Sequence, residues 1–220
     1  MDAATFWALV QQAWPVMLRG TGYTLGFAVS AMVLGLALAG LIAAVRVFEL
    51  PLLRSLATIY VSAFRGTPLL VQVFVIYYGL PSVGIEFSPV TAGILALTLN
   101  VAAYLSESLR GAIGGVGQGQ WMAASSLGLT RLQALRHIVG PQALRVATPS
   151  LANSLISLVK DTSLVSVIAV SELMLGTKEL IATTFRPFPL YLAAAVIYWC
   201  LSLVFERVQR VVERRLAYPH

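Results

Sequence analysis

Long stretches without a charged residue are the feature that most constrains this chain. They cover residues 20–45, 66–85, 87–106 and 187–205. An α-helix needs roughly 20 consecutive apolar residues to cross the hydrocarbon core of a bilayer. Hydrophobic residues make up 58% of the 220 residues and charged residues only 11%, which excludes a disordered chain, a disulfide-rich secreted scaffold and an ordinary cytosolic enzyme. We therefore expect an all-α, polytopic membrane protein.

The positive charge of the chain is gathered in alternate connections between these stretches. The net charge of +6 comes from arginines near residues 46–54, 110–145 and 207–215, whereas the other connections are almost neutral. Loops rich in Lys and Arg stay on the cytoplasmic side of a membrane. We expect the N-terminus outside, the C-terminus in the cytoplasm and an odd number of spans. The basic residues set this orientation, so the lipid bilayer is an expected partner and a nucleic acid is not.

The sequence predicts five spans in a single domain of residues 1–220. A short interfacial helix over residues 3–14 ends at Pro15, because proline interrupts the helical hydrogen bonds. Pro68 is predicted to break the second span locally, and Gly79, Pro81 and Gly84 form the turn after it. The spans are predicted at about residues 17–45, 51–78, 88–109, 142–171 and 187–206, and a basic helical tail follows the last.

The uncharged segment 111–130 is too rich in glycine to be a continuous helix, since each glycine costs about 1 kcal/mol relative to alanine. We predict a cytoplasmic loop over about residues 111–141. It holds a short helix at residues 120–127, a left-handed cap at Gly128 and a second helix that begins with a capping box of Thr130 and Gln133. Pro141 then begins the fourth span.

This order of helix, glycine, helix and proline resembles the coupling loop of ABC importer permeases. The EAA motif of that family reads Glu-Ala-Ala, three residues, Gly, nine residues, Ile, one residue and Leu-Pro. This chain matches it at Ala123, Ala124, Gly128, Ile138 and Pro141, and departs from it at Met122 and Gly140. The departures remove a charge at the first position and a bulky side chain before the proline.

The resemblance extends over nearly the whole chain. Residues 64–81, 100–113, 119–121 and 157–164 are similar to the polar amino-acid subfamily of these permeases, and residues 64–86 and 151–164 are most similar to the cystine type. It implies a type I permease fold whose loop contacts a partner ATPase. The residues implied in that contact are Gln120, Met122, Ala123, Ala124, Gly128 and Arg131. Taken alone, the small residues would equally suit helix packing inside a bilayer.

Polar side chains on the third and fourth spans predict a hydrated cavity between them. An ionisable group at the centre of a membrane helix costs about 2.5–3.5 kcal/mol, so Lys160 and Asp161 need partners or water. Helical spacing places Ser154, Ser157 and Asp161 on one stripe, and Asn100, Tyr104 and Glu107 on another. The candidate substrate contacts are Thr67, Gln72, Asn100, Tyr104, Glu107, Asn153, Ser154, Ser157, Lys160 and Asp161. The alternative is structural: hydroxyls bonded to their own helix, Asn100 or Gln72 joining helices, and Lys160 at a dimer contact.

The sequence carries no phosphate loop of the Walker type, no GxSxG elbow and no HExxH pair. We expect no catalytic residue, no metal site and no bound cofactor, with ATP and Mg²⁺ held by the partner ATPase. By resemblance, the chain is expected in a bacterial inner membrane as the permease subunit of an amino-acid importer, with L-cystine as the first candidate substrate.

The expected partners are an ATPase dimer, an external amino-acid-binding protein and a second permease subunit, which we expect to be identical. The alternatives are an importer of glutamine, glutamate, arginine or histidine, an ATP-independent channel or structural subunit, and an intramembrane enzyme in which Lys160 and Asp161 or Glu107 act as acid and base.

Overall fold

The computed structural model describes residues 3–48 and 51–216, with side chains for residues 7–48 and 51–215. It confirms the all-α fold, because the described residues form helices joined by short turns. The α-helices are α1 (Ala3–Val47), α2 (Pro51–Gly66), α3 (Leu69–Phe74), α4 (Pro89–Gly115), α5 (Gln118–Ser126), α6 (Arg131–Ala134), α7 (Gly140–Asp161), α8 (Leu173–Thr184) and α9 (Pro187–Leu216). Segments of π-helix or 3₁₀-helix extend α3, α6 and α7. The π-helical segments are Val75–Gly79 and Leu135–Val139, and the 3₁₀ segments are Leu80–Val83 and Thr162–Ile168.

Four helical stretches of the described chain are long and apolar enough to cross a membrane, and a bent pair of helices passes the same test when its two helices are taken together. The four are Trp7–Val47, Pro89–Gly115, Arg131–Ile168 and Pro187–Arg215. The bent pair is Pro51–Gly66 with Leu69–Val83, whose axes differ by 110°. The four stretches correspond to the first, third, fourth and fifth predicted spans, with several different boundaries, and the bent pair covers the predicted second span.

Helix α1 continues through Pro15, so the predicted end of an interfacial helix at that residue is wrong. Proline removes one backbone hydrogen bond and costs about 3 kcal/mol within a helix. Leu9, Ala13 and Met17 lie on one face on either side of Pro15, and they are buried in a cluster with residues of α8 and α9. Packing of that face offsets the cost of the proline and keeps the helix continuous.

A seam of small residues lets α1 lie closely along α4. Ala28, Ala31, Gly35, Ala39 and Ala43 recur every three or four residues and are all buried. A Cβ atom at Gly35 would collide with the side chain of Val101 in α4. Small residues of this kind allow membrane helices to approach until their backbones are almost in contact.

Both ends of the loop between α4 and α7 differ from the predicted bounds of residues 111–141. Helix α4 continues through Gly111, Gly114 and Gly115, because Ala112 is buried and Ile113 packs against the core. At the other end α7 begins at Gly140, next to the predicted start at Pro141, but a π turn joins it to α6 without a break. The fourth helical stretch then ends at Ile168, three residues before the predicted end, where Ala169 takes a left-handed conformation (φ 58°).

Helix α8 was not predicted, and a buried glutamate fixes its first turn. The carboxylate of Glu172, which is 1% exposed, accepts hydrogen bonds from the backbone N–H groups of Met174 (2.9 Å) and Leu175 (2.8 Å). The hydroxyls of Tyr198 in α9 (2.8 Å) and Thr24 in α1 (3.5 Å) also donate to it. Burial raises the pKa of Glu172, and these donors oppose that shift. Glu172 therefore joins α1, α8 and α9.

Replacing Glu172 tests this junction. In Glu172→Gln, an NH₂ group takes the place of one carboxylate oxygen. Because each oxygen accepts a backbone hydrogen bond, at least one backbone N–H then faces another donor and loses its acceptor. We expect the free energy of unfolding to fall by about 1–3 kcal/mol, measured by thermal unfolding in detergent. Glu179→Gln makes the same change at an exposed site of α8 and is the control. Equal melting temperatures for the two variants would contradict the role given to Glu172.

Candidate functional site

A cavity of about 690 Å³ lies between α4, α7 and the break that separates α2 from α3. Pro68 has an extended backbone (ψ 138°) at this break, so the predicted interruption is confirmed and is much sharper than a local kink. Seven of the ten predicted contact residues line the cavity. They are Thr67, Asn100, Tyr104, Asn153, Ser154, Ser157 and Asp161, accompanied by Pro68, Leu69, Val101, Ser150 and Leu158.

Asp161 is the acidic group of the cavity. It lies at the last residue of α7, and its carboxylate makes no hydrogen bond or salt bridge with the described part of the chain. The neighbouring serines do not reach it: Ser154 donates to the carbonyl of Ser150 in its own helix (2.9 Å). An unpaired carboxylate in a mostly apolar bundle attracts a cation or a hydrogen-bond donor into the cavity.

Asn100 is held in place by Gln72. The side-chain amide of Asn100 donates to Oε1 of Gln72 (2.9 Å). Nε2 of Gln72 donates in turn to the carbonyl of Phe64 (2.8 Å) and to the hydroxyl of Thr67 (2.9 Å). Gln72 is 7% exposed and stands behind the cavity wall, where it satisfies backbone that the break leaves unpaired. Its amide group thereby couples the shape of the break to the position of Asn100.

Arg65 was not predicted as a site residue, and it lies next to the cavity. Its guanidinium carbon is 5.4 Å from the centre of the Tyr104 ring, a cation–π contact. Tyr104 lines the cavity, so Arg65 supplies positive charge at its edge. The sequence signal was its place two residues before Thr67, at the end of a helix that precedes a break.

Two predicted contact residues lie elsewhere. Glu107 accepts hydrogen bonds from Arg46 (2.5 Å) and from Arg110, so both oxygens of its carboxylate are engaged. Lys160 lines an adjacent groove, between α7 and α9, that also includes Glu206 and Arg210 and shares Asn153 and Ser157 with the cavity. Neighbouring residues of a helix point about 100° apart, which is why Lys160 and Asp161 face different surroundings.

The loop between α4 and α7 exposes apolar side chains. Met122 is 64% exposed, Leu127 77% and Leu132 63%, whereas Ala124 is fully buried. Gln120 accepts a hydrogen bond from Gln142 (3.2 Å), and Arg131 stacks over Trp121 at 6.0 Å. Ala123 is exposed beside Met122. Exposed apolar side chains concentrated in one segment are typical of a protein–protein contact.

The caps of this loop follow the sequence prediction. Gly128 has φ 74°, a conformation that costs about 1–2 kcal/mol for a residue with a Cβ atom. Thr130 and Gln133 form the complete capping box. The short helix α5 is therefore presented on a defined turn. No group of three or more metal-ligating side chains occurs in the residues described.

Comparisons with known proteins identify relatives over the whole length. Residues 35–218 match the family described as "binding-protein-dependent transport system inner membrane component". The L-cystine transport system permease protein TcyB of Bacillus subtilis (strain 168) is 42% identical, over 98% of this chain and 93% of its own. The probable amino-acid ABC transporter permease protein PatM of Vibrio harveyi is 43% identical, over 92% of each.

A solved structure shares the fold closely. The crystal structure of an amino acid ABC transporter with histidines aligns with a TM-score of 0.90 at 34% identity, covering 98% of this chain and 99% of that one.

Water in the cavity can be tested with single cysteines. Cys200 is the sole cysteine, so Cys200→Ser gives a background without thiols. We expect Ser157→Cys, on the cavity wall, to react rapidly with a charged, membrane-impermeant thiol reagent. Val159→Cys, two residues away and fully buried, is the control and should stay unlabelled. Protection of both positions would show that the cavity is closed to water.

Proposed function

This chain belongs to the binding-protein-dependent transport system inner membrane components, and we propose that it imports a polar amino acid, with L-cystine as the first candidate. It is a permease subunit of an ABC transporter and not an enzyme, since the relatives are permeases. The observation that carries the proposal is the carboxylate of Asp161, which lines the cavity and makes no hydrogen bond or salt bridge with the described residues.

An amino acid needs complementary charges at its two ends. Asp161 accepts hydrogen bonds from the substrate ammonium group, a charge-assisted contact that is stronger than a neutral one. Arg65, against Tyr104 at the cavity edge, provides positive charge for the carboxylate. Asn100, Asn153 and Ser157 contribute amide and hydroxyl groups between them. The cavity volume of about 690 Å³ lies within the range of about 300–1,000 Å³ that is usual for small-molecule sites.

L-cystine is favoured over other amino acids by similarity. TcyB, at 42% identity over almost the full chain, is named as an L-cystine permease, whereas the name of PatM specifies only an amino acid. Cystine carries two ammonium and two carboxylate groups, and a cavity lined by several amide and hydroxyl groups can accept more than one polar end. Glutamine, glutamate, arginine and histidine are the alternatives, and a substrate panel distinguishes them.

The coupling loop connects the two walls of the cavity. Helix α4 carries Asn100 and Tyr104 and ends where the loop begins, while α7 starts where the loop ends and carries Asn153, Ser157 and Asp161. A displacement of the loop therefore moves both walls together. Met122, Leu127 and Leu132 provide the exposed apolar contact for an ATPase subunit, which binds ATP and Mg²⁺. Met122, in place of the glutamate of the motif, makes this contact apolar rather than ionic.

We infer the same orientation from the structure as from the sequence. Arg46, Arg54, Arg110 and Arg131 gather at one end of the bundle, and positive charge of this kind marks the cytoplasmic face. The ATPase dimer docks at that end and the external binding protein at the other. A second permease subunit, an identical copy in our proposal, completes the pathway, and closure of the ATPases on ATP switches the cavity from inward-facing to outward-facing.

Reconstitution tests the function as a whole. The chain is purified with its ATPase and binding protein, placed in liposomes and given a panel of labelled amino acids. We expect that uptake requires ATP on the side of the membrane where the ATPase lies. We also expect that cystine is taken up fastest. If another amino acid is taken up fastest, the substrate assignment changes from cystine to that amino acid, and the assignment of the chain as a permease stands. Uptake that is independent of ATP would favour a channel instead.

Asp161→Asn tests the substrate contact. The amide keeps the shape of the carboxylate but loses its charge, which removes a charge-assisted hydrogen bond of about 1.5–3 kcal/mol. We expect the KM for uptake to rise about ten- to a hundredfold. Glu206→Gln makes the same change at a residue that lines the groove beside Lys160 but not the cavity, and it should leave the KM within about twofold of the original. An unaltered KM in Asp161→Asn would remove Asp161 from the site.

Gly128→Trp tests the coupling assignment. Gly128 (φ 74°) and Gly84 (φ 84°) both have a left-handed backbone, and open space surrounds both, so a tryptophan strains each turn to a similar extent. Only Gly128 lies beside the proposed ATPase contact. We expect Gly128→Trp to abolish co-purification of the ATPase and its stimulation, while Gly84→Trp retains the ATPase. Equal retention by the two variants would rule out the loop as the docking element.

A further inference from the structure

A second cavity, of about 460 Å³, lies at the arginine-rich end of the bundle. Its walls come from the end of α1, the first turns of α2, the end of α4 and the coupling loop. Arg46, Arg54, Arg110 and Arg131 line it, together with Thr58 and Trp121. Four guanidinium groups from four separate elements thus converge on one space, apart from the cavity of Asp161.

Positive charge exceeds negative charge at this cavity. Glu107 accepts from Arg46 and Arg110 and is the carboxylate that the described residues bring to the cluster. Glu49, which lies between Arg46 and Arg54 in the sequence, is outside the described residues. If both acids are counted against the four arginines, two positive charges remain. An anion with several oxygens would stabilise this arrangement, because guanidinium groups bind phosphate in a bidentate manner.

The level of the cavity in the membrane indicates the source of that anion. Arg46 directly follows the uncharged run of α1, and Arg110 follows that of α4 by a few residues, so the cavity lies where apolar spans end. Trp121, against Arg131, has the amphipathic ring that is enriched at the membrane–water interface. Headgroups of phospholipids occupy this level, and basic pockets between spans are suited to anionic ones.

We propose that this cavity is a binding site for the phosphate of an anionic phospholipid such as phosphatidylglycerol. The phosphodiester lies among Arg46, Arg54, Arg110 and Arg131, the hydroxyl of Thr58 faces the glycerol, and the acyl chains leave along α1 and α2. The lipid thereby contacts both the bundle and Trp121 of the coupling loop. It joins the ends of α1 and α4 to the element that we assign to the ATPase contact.

Trp121 provides a direct measurement. In a full-length variant with Trp7, Trp14 and Trp199 replaced by Phe, Trp121 is the one tryptophan that remains. Its fluorescence is recorded in phosphatidylcholine bilayers that contain either brominated phosphatidylglycerol or brominated phosphatidylcholine, since bromine quenches a nearby indole. We expect quenching at much lower mole fractions of the anionic lipid. Equal quenching by the two lipids would overturn the proposal.

Arg54→Gln and Arg136→Gln form a matched pair in the same background. Each removes one arginine from the connections rich in arginine, but only Arg54 lines the cavity. An arginine near an anionic lipid contributes about a fivefold preference, so Arg54→Gln should lower the preference about fivefold, and Arg54→Lys should retain most of it. Arg136→Gln should leave it unchanged. An equal loss in Arg54→Gln and Arg136→Gln would indicate general surface attraction and contradict a site.

Two further measurements complete the test. Native mass spectrometry of the unmodified permease, released from mixed bilayers, should retain phosphatidylglycerol in preference to phosphatidylcholine, which tests the proposal without any substitution. Inorganic phosphate at millimolar concentration should not relieve the quenching of Trp121. Relief by phosphate would assign the cavity to a soluble anion and overturn the lipid. None of these readouts depends on transport, so they stay informative if the proposed substrate is wrong.

Discussion

Close contact between α1 and α4 is the constraint on which the rest of the structure depends. The buried alanines of α1 and Gly35 bring the two backbones together, and lipid provides no hydrophobic force that would do this in their place. Helix α4 is then fixed between α1 and α7, so that Asn100 and Tyr104 face Asp161 across the cavity. A larger residue at Gly35 would move α4 and with it one wall of the site.

The sequence predicted those parts of the fold that depend on local chemistry. Uncharged runs of sufficient length located the spans, Pro68 located the break, and the spacing of Thr130 and Gln133 located the capping box. Gly128 was assigned its left-handed cap for the same reason. The helical stripe of Ser154, Ser157 and Asp161 placed these side chains on one face, and the structure turns that face toward Asn100.

The sequence could not predict features that depend on a distant partner. Pro15 ends an isolated helix, but the packing of Ala13 and Met17 on α8 and α9 keeps α1 continuous. Helix α8 has its first turn fixed by Glu172, whose other donors are Thr24, 148 residues away, and Tyr198. Arg65 has a sequence signal in its place before Thr67, but its contact with Tyr104 is what places it beside the cavity. In each case the deciding contact joins residues that no periodicity connects.

The carboxylates of the bundle are distinguished by what surrounds them. Glu172 is completely enclosed by donors from three helices, and Glu107 is neutralised by Arg46 and Arg110, so neither has capacity left for a substrate. Asp161 has no such partner among the described residues, although burial makes an unpaired carboxylate the most expensive of the three arrangements. The fold thus satisfies Glu172 and Glu107 fully and leaves Asp161 facing an open cavity. The free-energy cost of an unpaired carboxylate therefore falls at a position where an ammonium group can offset it. In the function that we propose, the binding energy of the substrate is then available at Asp161, between the two walls that the loop connects.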